Sequence, residues 1–167
     1  KEILTLGLAT HFQRSHRLSS ILQEYIINGN LPKTEQILLK SLEILENQNF
    51  IQNTFYGDLL SIMNRLNNSS LLFAKKTYAH LFNRCPMSLA VTTELLERAE
   101  NLTLKECLKM EYQLSQHIVY RNDFNEGVNN VLVNKKHNPK WNPSTINDID
   151  FKEVKILFDP HVEPLNI

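Results

Sequence analysis

Three glutamates, two cysteines and one lysine cluster beside the single tryptophan are the side chains whose types and spacing invite a chemical role. Glu106 stands three residues after Thr103, and Glu126 three after Asp123. A carboxylate can serve as a general acid or base. The same spacing also defines a capping box, in which the first side chain accepts the N3 backbone N–H and the later glutamate reaches back to the cap N–H. The sequence therefore predicts helix starts at Thr103 and Asp123, each cap contributing about 1 kcal/mol. That gives Glu106 and Glu126 a structural occupation. Glu111 differs, because it falls on the predicted apolar face of Leu104, Cys107, Leu108, Leu114 and Ile118. There it would be partly buried and in need of a donor from a neighbouring helix, with a general acid as the competing role.

Other nucleophile and metal arrangements are absent from the spacing. Cys85 and Cys107 form no CxxC pair, and no histidines cluster around them. Small core residues are the better reading of both, which suits a reducing compartment. Ser15 beside His16, or Ser88 with any of the six histidines, lacks the oriented base and oxyanion donors that acyl transfer requires. Neither GxSxG nor HExxH occurs. His11 and His117 are expected as partly buried side chains rather than ligands. Lys135, Lys136 and Lys140 next to Trp141 could hold a phosphate and stack a base, or simply form a solvated turn.

The elements that would position these groups read as helices with short connections. Leu18, Ile21, Leu22, Tyr25 and Ile26 recur at three and four from Ser15, and Asn28-Gly29-Asn30 ends the run. Thr34 can cap a helix carrying Ile37, Leu38, Leu42 and Leu45, followed by a Gln/Asn-rich loop from Asn47 to Asn53. Phe55 to Leu66 predicts a third helix, punctuated by Asn67-Asn68-Ser69-Ser70. Ser70 to Asn83 predicts a fourth, with Leu71, Ala74, Tyr78, Leu81 and Phe82 inside. Pro86 suits a first helical turn, where its missing N–H costs nothing. The helix after it runs through Leu89, Thr92, Leu96 and Ala99 to near Asn101. The two prolines around Trp141 favour extended backbone laid across a surface. Phe151 to Phe158 predicts a last short helix before a tail from Asp159 to Ile167, and no domain boundary or repeat stands out.

Composition narrows the classes further. A chain of 167 residues, 42% hydrophobic, can build one ordinary core. Four glycines argue against a Gly-rich phosphate loop, and 18 basic against 18 acidic residues give no field that would draw the chain to nucleic acid or an anionic membrane. The longest apolar runs, such as Ile37–Leu39 and Val131–Val133, fall far short of the ~20 residues needed to span a bilayer. Lys1-Glu2-Ile3-Leu4-Thr5-Leu6-Gly7 shows neither an initiator Met nor a transit segment and reads like the inside of a folded element, so a start within a longer protein is expected.

Several blocks then resemble one family. Leu6-Gly7-Leu8-Ala9-Thr10-His11-Phe12 looks like the point in 3-hydroxyisobutyryl-CoA hydrolases, members of the crotonase superfamily, where the core hands over to the C-terminal helices. Pro86-Met87-Ser88-Leu89, Leu104 through Gln116, Asp123-Phe124-Asn125-Glu126-Gly127-Val128, and Lys135 through Pro139-Lys140-Trp141 follow in that family's order and spacing. The likeness is strongest over residues 6–12 and 86–143; between Gln13 and Cys85 it is a helical pattern.

The resemblance implies a mainly α chain, the C-terminal helical part of an α/β crotonase-like fold, with residues 1–14 ending the core, 15–132 helical and 133–167 an extended tail. It implies a mitochondrial matrix enzyme of valine breakdown that cleaves the thioester of 3-hydroxyisobutyryl-CoA, an acyl-CoA substrate, with no separate cofactor. In that family backbone N–H groups polarise the thioester and acidic side chains direct the attack. Both sets lie upstream of Gly7, so no catalytic residue is assigned here and the N-terminal crotonase core is an expected partner. Wider crotonase relatives use these helices to cover coenzyme A and for assembly, which makes Lys135, Lys136 and Trp141 the expected coenzyme A contacts and leaves room for a homo-oligomer. Two other readings compete. Members of the same family serve as structural proteins of the mitochondrial small ribosomal subunit, the one setting in which nucleic acid would be near. A stand-alone helical module is the third, and it would expose the apolar surface that packs on the core.

Overall fold

The computed structural model describes residues 2–33, 42–136 and 138–166. Among them every regular element is helical, as expected, and the fold sorts into two compact units, Lys1–Asn53 and Thr54–Ile167, where the sequence offers no boundary.

The first unit holds α1 (Glu2–Thr5), a 3-10 turn (Ser15–Arg17) that runs into α2 (Leu18–Asn28), α3 (Glu43–Glu46) and α4 (Gln48–Gln52). Helix α2 stops where the Asn-Gly-Asn signal predicts. Gly29 takes φ 68° and donates its N–H to the Tyr25 carbonyl at 2.8 Å, the left-handed ending that a glycine accepts without a Cβ penalty. Of the helix expected from Thr34, the cap, Ile37 and Leu38 lie outside the described residues; Leu42 is the N-cap residue of α3. The loop expected from Asn47 to Asn53 is a helical turn instead. Asn47 supports it by donating its Nδ2 to the Glu43 carbonyl, an i−4 bond that a composition argument cannot see.

The second unit is built on α5 (Leu59–Asn67), α6 (Leu72–Phe82), α7 (Pro86–Ala99) and α8 (Leu104–Ile118). They are followed by α9 (Asn122–Gly127), which continues as a π-helical turn (Val128–Val133), then a 3-10 turn (Ile146–Asp148) and α10 (Phe151–Ile156). Helix α5 packs on α6 and α7, and α10 packs on α7. Leu66, Met87 and Val154 are fully buried at their junctions, each contributing about 1.5–3 kcal/mol by leaving water. Helix α5 begins four residues later than expected. Gly57 takes φ 73°, and Asp58 then caps the helix by accepting the Ser61 N–H at 2.9 Å. Arg65 ties the preceding segment down, donating to the carbonyls of Thr54 and Tyr56 and lying 4.1 Å over the Tyr56 ring.

Several faces are rotated from their sequence-based placement. On α6 Ala74 is fully buried and Tyr78 and Leu81 are half-buried, but Leu71 and Phe82 are exposed. On α7 the inward residues are Met87, Ala90 and Val91, while Thr92 and Leu96 face out. On α8 they are Gln113 and Leu114 with Cys107, Met110 and His117 half-buried; Leu104, Leu108 and Glu111 are exposed. Both cysteines are free thiols, Cys85 buried and Cys107 half-buried. Residues 133–167, expected as a tail with one short helix, carry the 3-10 turn and α10 and contribute Ile149, Val154, Leu157 and Phe158 to the core.

Candidate functional site

The capping box at Thr103 forms as the spacing requires. The Thr103 N–H donates to Glu106 Oε2 at 2.8 Å, and the Glu106 N–H returns to Thr103 Oγ1 at 3.3 Å. The Thr103 hydroxyl hydrogen bond and the cap amide hold the Glu106 carboxyl below its ordinary value of 4.5. An ionised, occupied carboxylate at a helix start is a poor general acid. Glu111 is solvent-exposed and needs no buried donor.

The second expected capping box does not form. Helix α9 starts at Asn122 after Arg121, and Asp123 is 7% exposed inside it. Asp123 Oδ1 accepts the Asn142 N–H at 2.8 Å, across 19 residues. Glu126 Oε1 accepts the Lys140 N–H at 2.6 Å and Asn130 Nδ2 at 2.9 Å. The two carboxylates therefore serve as anchors for the segment 140–142 rather than as local caps. The backbone N–H groups they accept lie 14 and 19 residues further along the chain, which is why the local pattern misreads them.

That anchoring sets Trp141 against α9. A Cβ on Gly127 would meet the indole at 3.3 Å, so the glycine is what lets the ring lie close to the helix. Trp141 thereby walls a cleft of about 370 Å³, lined by Cys85 and Met87 at the start of α7, Ile118 at the end of α8, and Phe124, Val128 and Val131 on α9 and its π extension. Arg121 and Asp123 complete the lining, with Arg121 Nη2 3.8 Å from Asp123 Oδ2 and Arg121 Nη1 donating to Glu153 on α10. Arg121 Nε and Asp123 Oδ2 are both buried without a hydrogen-bond partner.

Of the expected coenzyme A contacts, Trp141 alone lies on this cleft. Lys135 and Lys136 are exposed just past the π turn and do not line it; Lys135 holds φ 52°, a conformation uncommon outside glycine and asparagine. His137 lies outside the described residues. His11 is exposed, bonded to Thr10 Oγ1 at 2.8 Å, whereas His117 is half-buried and donates Nε2 to the Asp159 carbonyl at 3.1 Å. The described residues hold no group of three or more potential metal ligands, and no described helix is long and apolar enough to cross a membrane.

One buried polar side chain had no sequence signal. Gln113 Oε1 accepts the N–H groups of His161 and Val162 at 2.8 and 2.9 Å, and its Nε2 donates to the Val162 carbonyl at 2.8 Å. Its amide copies the donor and acceptor pattern of a neighbouring backbone, and so straps the segment after α10 onto α8.

Among the described residues, then, the second unit is all-helical with a cleft walled by Trp141. The chain belongs to the enoyl-CoA hydratase/isomerase family, whose profile matches residues 1–158. Among curated relatives it is 30% identical over 162 residues to "3-hydroxyisobutyryl-CoA hydrolase, mitochondrial" of Xenopus laevis, covering 89% of this chain and 42% of that protein. It is 32% identical to the protein of the same name in Dictyostelium discoideum, over 92% of this chain and 44% of that one. It is also 28% identical to "Small ribosomal subunit protein mS47" of Schizosaccharomyces pombe, over 94% and 40%. The solved carnitinyl-CoA dehydratase of Mycobacterium thermoresistibile superposes with a TM-score of 0.82 at 24% identity, over 99% of this chain and 48% of that one, which establishes the helical part of the crotonase fold. The chain thus spans less than half the length of the relatives it matches.

Proposed function

We propose that this chain is the C-terminal helical half of a mitochondrial-matrix hydrolase that splits 3-hydroxyisobutyryl-CoA into 3-hydroxyisobutyrate and coenzyme A in valine breakdown. The observation that carries the reading is the near-complete match of the chain to hydrolases of that name, always over well under half of their length. The geometry agrees, since Glu106 and Glu126 are engaged in holding backbone and Glu111 is exposed on an outer face. The oxyanion donors and acids then belong to an upstream core. Residues 1–14 end that core and the later helices cover the site. Trp141 offers a face for the adenine ring, and Lys135 and Lys136 offer ammonium groups for phosphates.

A second reading has its own support in the likeness to the ribosomal protein of Schizosaccharomyces pombe. The two separate in the frame upstream of Lys1. An oxyanion loop and acidic residues there, with thioesterase activity of the intact protein, support the hydrolase; a frame with those residues replaced, and no turnover, gives the ribosomal role the lead. Titration of coenzyme A into the intact protein carrying Lys135→Ala and Lys136→Ala should show affinity weakened about tenfold or more, as for two lost charge-assisted contacts. Unchanged affinity sinks the assignment of these two lysines.

A further inference from the structure

Gly127 uses none of a glycine's conformational freedom. Gly29 and Gly57 hold positive φ, but Gly127 has φ −61° and ψ −50°, ordinary helical values, and α9 runs through it into the π-helical turn. At such a position glycine is a poorer helix residue than alanine, because it loses more backbone freedom on folding. Beyond its chain neighbours and its own helix backbone, a Cβ added there would meet Trp141 Cη2 at 3.3 Å and Cζ3 at 3.5 Å, and no other described atom within 4 Å. The backbone on either side of that ring is held from the same helix. Glu126 Oε1 accepts the Lys140 N–H at 2.6 Å and Asp123 Oδ1 accepts the Asn142 N–H at 2.8 Å.

Three residues of one helix thus fix the backbone before and after Trp141 and the distance of its ring from α9. A fold that only had to bury the indole would take alanine at 127, gain helix stability and let the ring shift by a few tenths of an ångström. We infer that Gly127, with Asp123 and Glu126, positions Trp141 for ligand recognition, and that helix stability is given up at Gly127 to keep the ring where a ligand meets it. These are positioning residues, since they act through Trp141. The inference rests on the reading of Trp141 as the face that meets the adenine ring of coenzyme A, and it adds the residues that set that face.

Coenzyme A and phosphopantetheine, which lacks the adenosine end, are titrated separately into the intact protein, and the ratio of their affinities isolates the adenine contact. Trp141→Leu should lower that ratio about tenfold or more, as for one lost stacking contact. Gly127→Ala should lower it about threefold or more, a partial loss of the same contact, while its thermal midpoint stays level or rises. Glu126→Ala should lower the ratio similarly, and Glu126→Gln, whose Oε1 still accepts the Lys140 N–H, should keep it. A ratio that falls in Trp141→Leu but stands unchanged in Gly127→Ala and Glu126→Ala overturns the inference. So does a lowered thermal midpoint in Gly127→Ala, which would make the glycine a packing requirement. A ratio that Trp141→Leu leaves unchanged removes the adenine reading of Trp141 and the inference with it, whereas no binding of coenzyme A by the unmodified protein removes the hydrolase reading itself.

Discussion

The two units are built from similar amphipathic helices and bury them very differently. In Lys1–Asn53 Ile21 is the one buried residue among those described, and Leu18, Leu22, Tyr25, Ile26 and Ile27 on α2 all stand exposed. In Thr54–Ile167 the same kind of periodicity closes around Leu59, Ile62, Met63, Leu66, Met87 and Val154. Periodicity alone therefore states that a helix has a face to cover, and not what covers it. A contiguous apolar face of this kind on the first unit is more than soluble monomers usually leave open. It fits a chain whose relatives are about twice as long.

The sharpest way to break that contrast is by truncation. Leu66→Ala in the second unit should lower stability by about 3 kcal/mol, since it removes a fully buried side chain and leaves a cavity. Ile26→Ser, at a 73% exposed position on α2, should change the unfolding free energy from urea titration by about 0.5 kcal/mol or less in this chain by itself. Repeated in the intact protein, a loss of about 2 kcal/mol or more at Ile26 would show that the face is covered there, and an unchanged midpoint would remove that argument for an upstream partner. Gln113→Ala comes next, at about 2 kcal/mol, because it leaves two backbone N–H groups and a carbonyl without their partner. Hydrogen exchange at His161 and Val162 should accelerate in step; retained protection at both would contradict the strap.

The smallest effect is acid sensitivity confined to the second unit. Hydrogen bonds from Ser61 hold the Asp58 carboxyl below its ordinary 3.8, as the Thr103 contacts hold Glu106 below 4.5. A carboxyl depressed on folding adds stability above its unfolded value and loses it as pH falls through the folded one. Urea midpoints should therefore be level above about pH 5 from these two groups and decline below pH 4. Asp58→Asn with Glu106→Gln should flatten that decline while the caps persist. An identical acid limb in the double variant would assign it to other carboxylates.

Much of the helical layout was legible, for reasons that particular residues make plain. Gly29 and the Thr103–Glu106 box act within a few residues of themselves, so their signals are local and correct. Helix α8 failed at the level of its face because it carries two apolar stripes, Leu104 with Leu108 and Cys107 with Met110 and Leu114. The choice between them rests with tertiary neighbours, and it moved Glu111 to the surface. Trp141 drew attention in the sequence by its setting among prolines and lysines, and the structure places it on a cleft wall. Arg121 and Asp123 line that wall with no such signal, since what distinguishes them is burial against Asn142 and Glu153. Gln113 was invisible for the same reason, its partners standing 48 and 49 residues away.

That separation has a kinetic side. Closing a span of this length costs chain entropy before any of the three Gln113 hydrogen bonds can repay it. The α5–α6 and α7 contacts, closer in sequence, can form first. The strap is thus expected to be the last piece of the second unit to lock and the first to open, a low-energy fluctuation that bares α8 while the rest of the core stays shut.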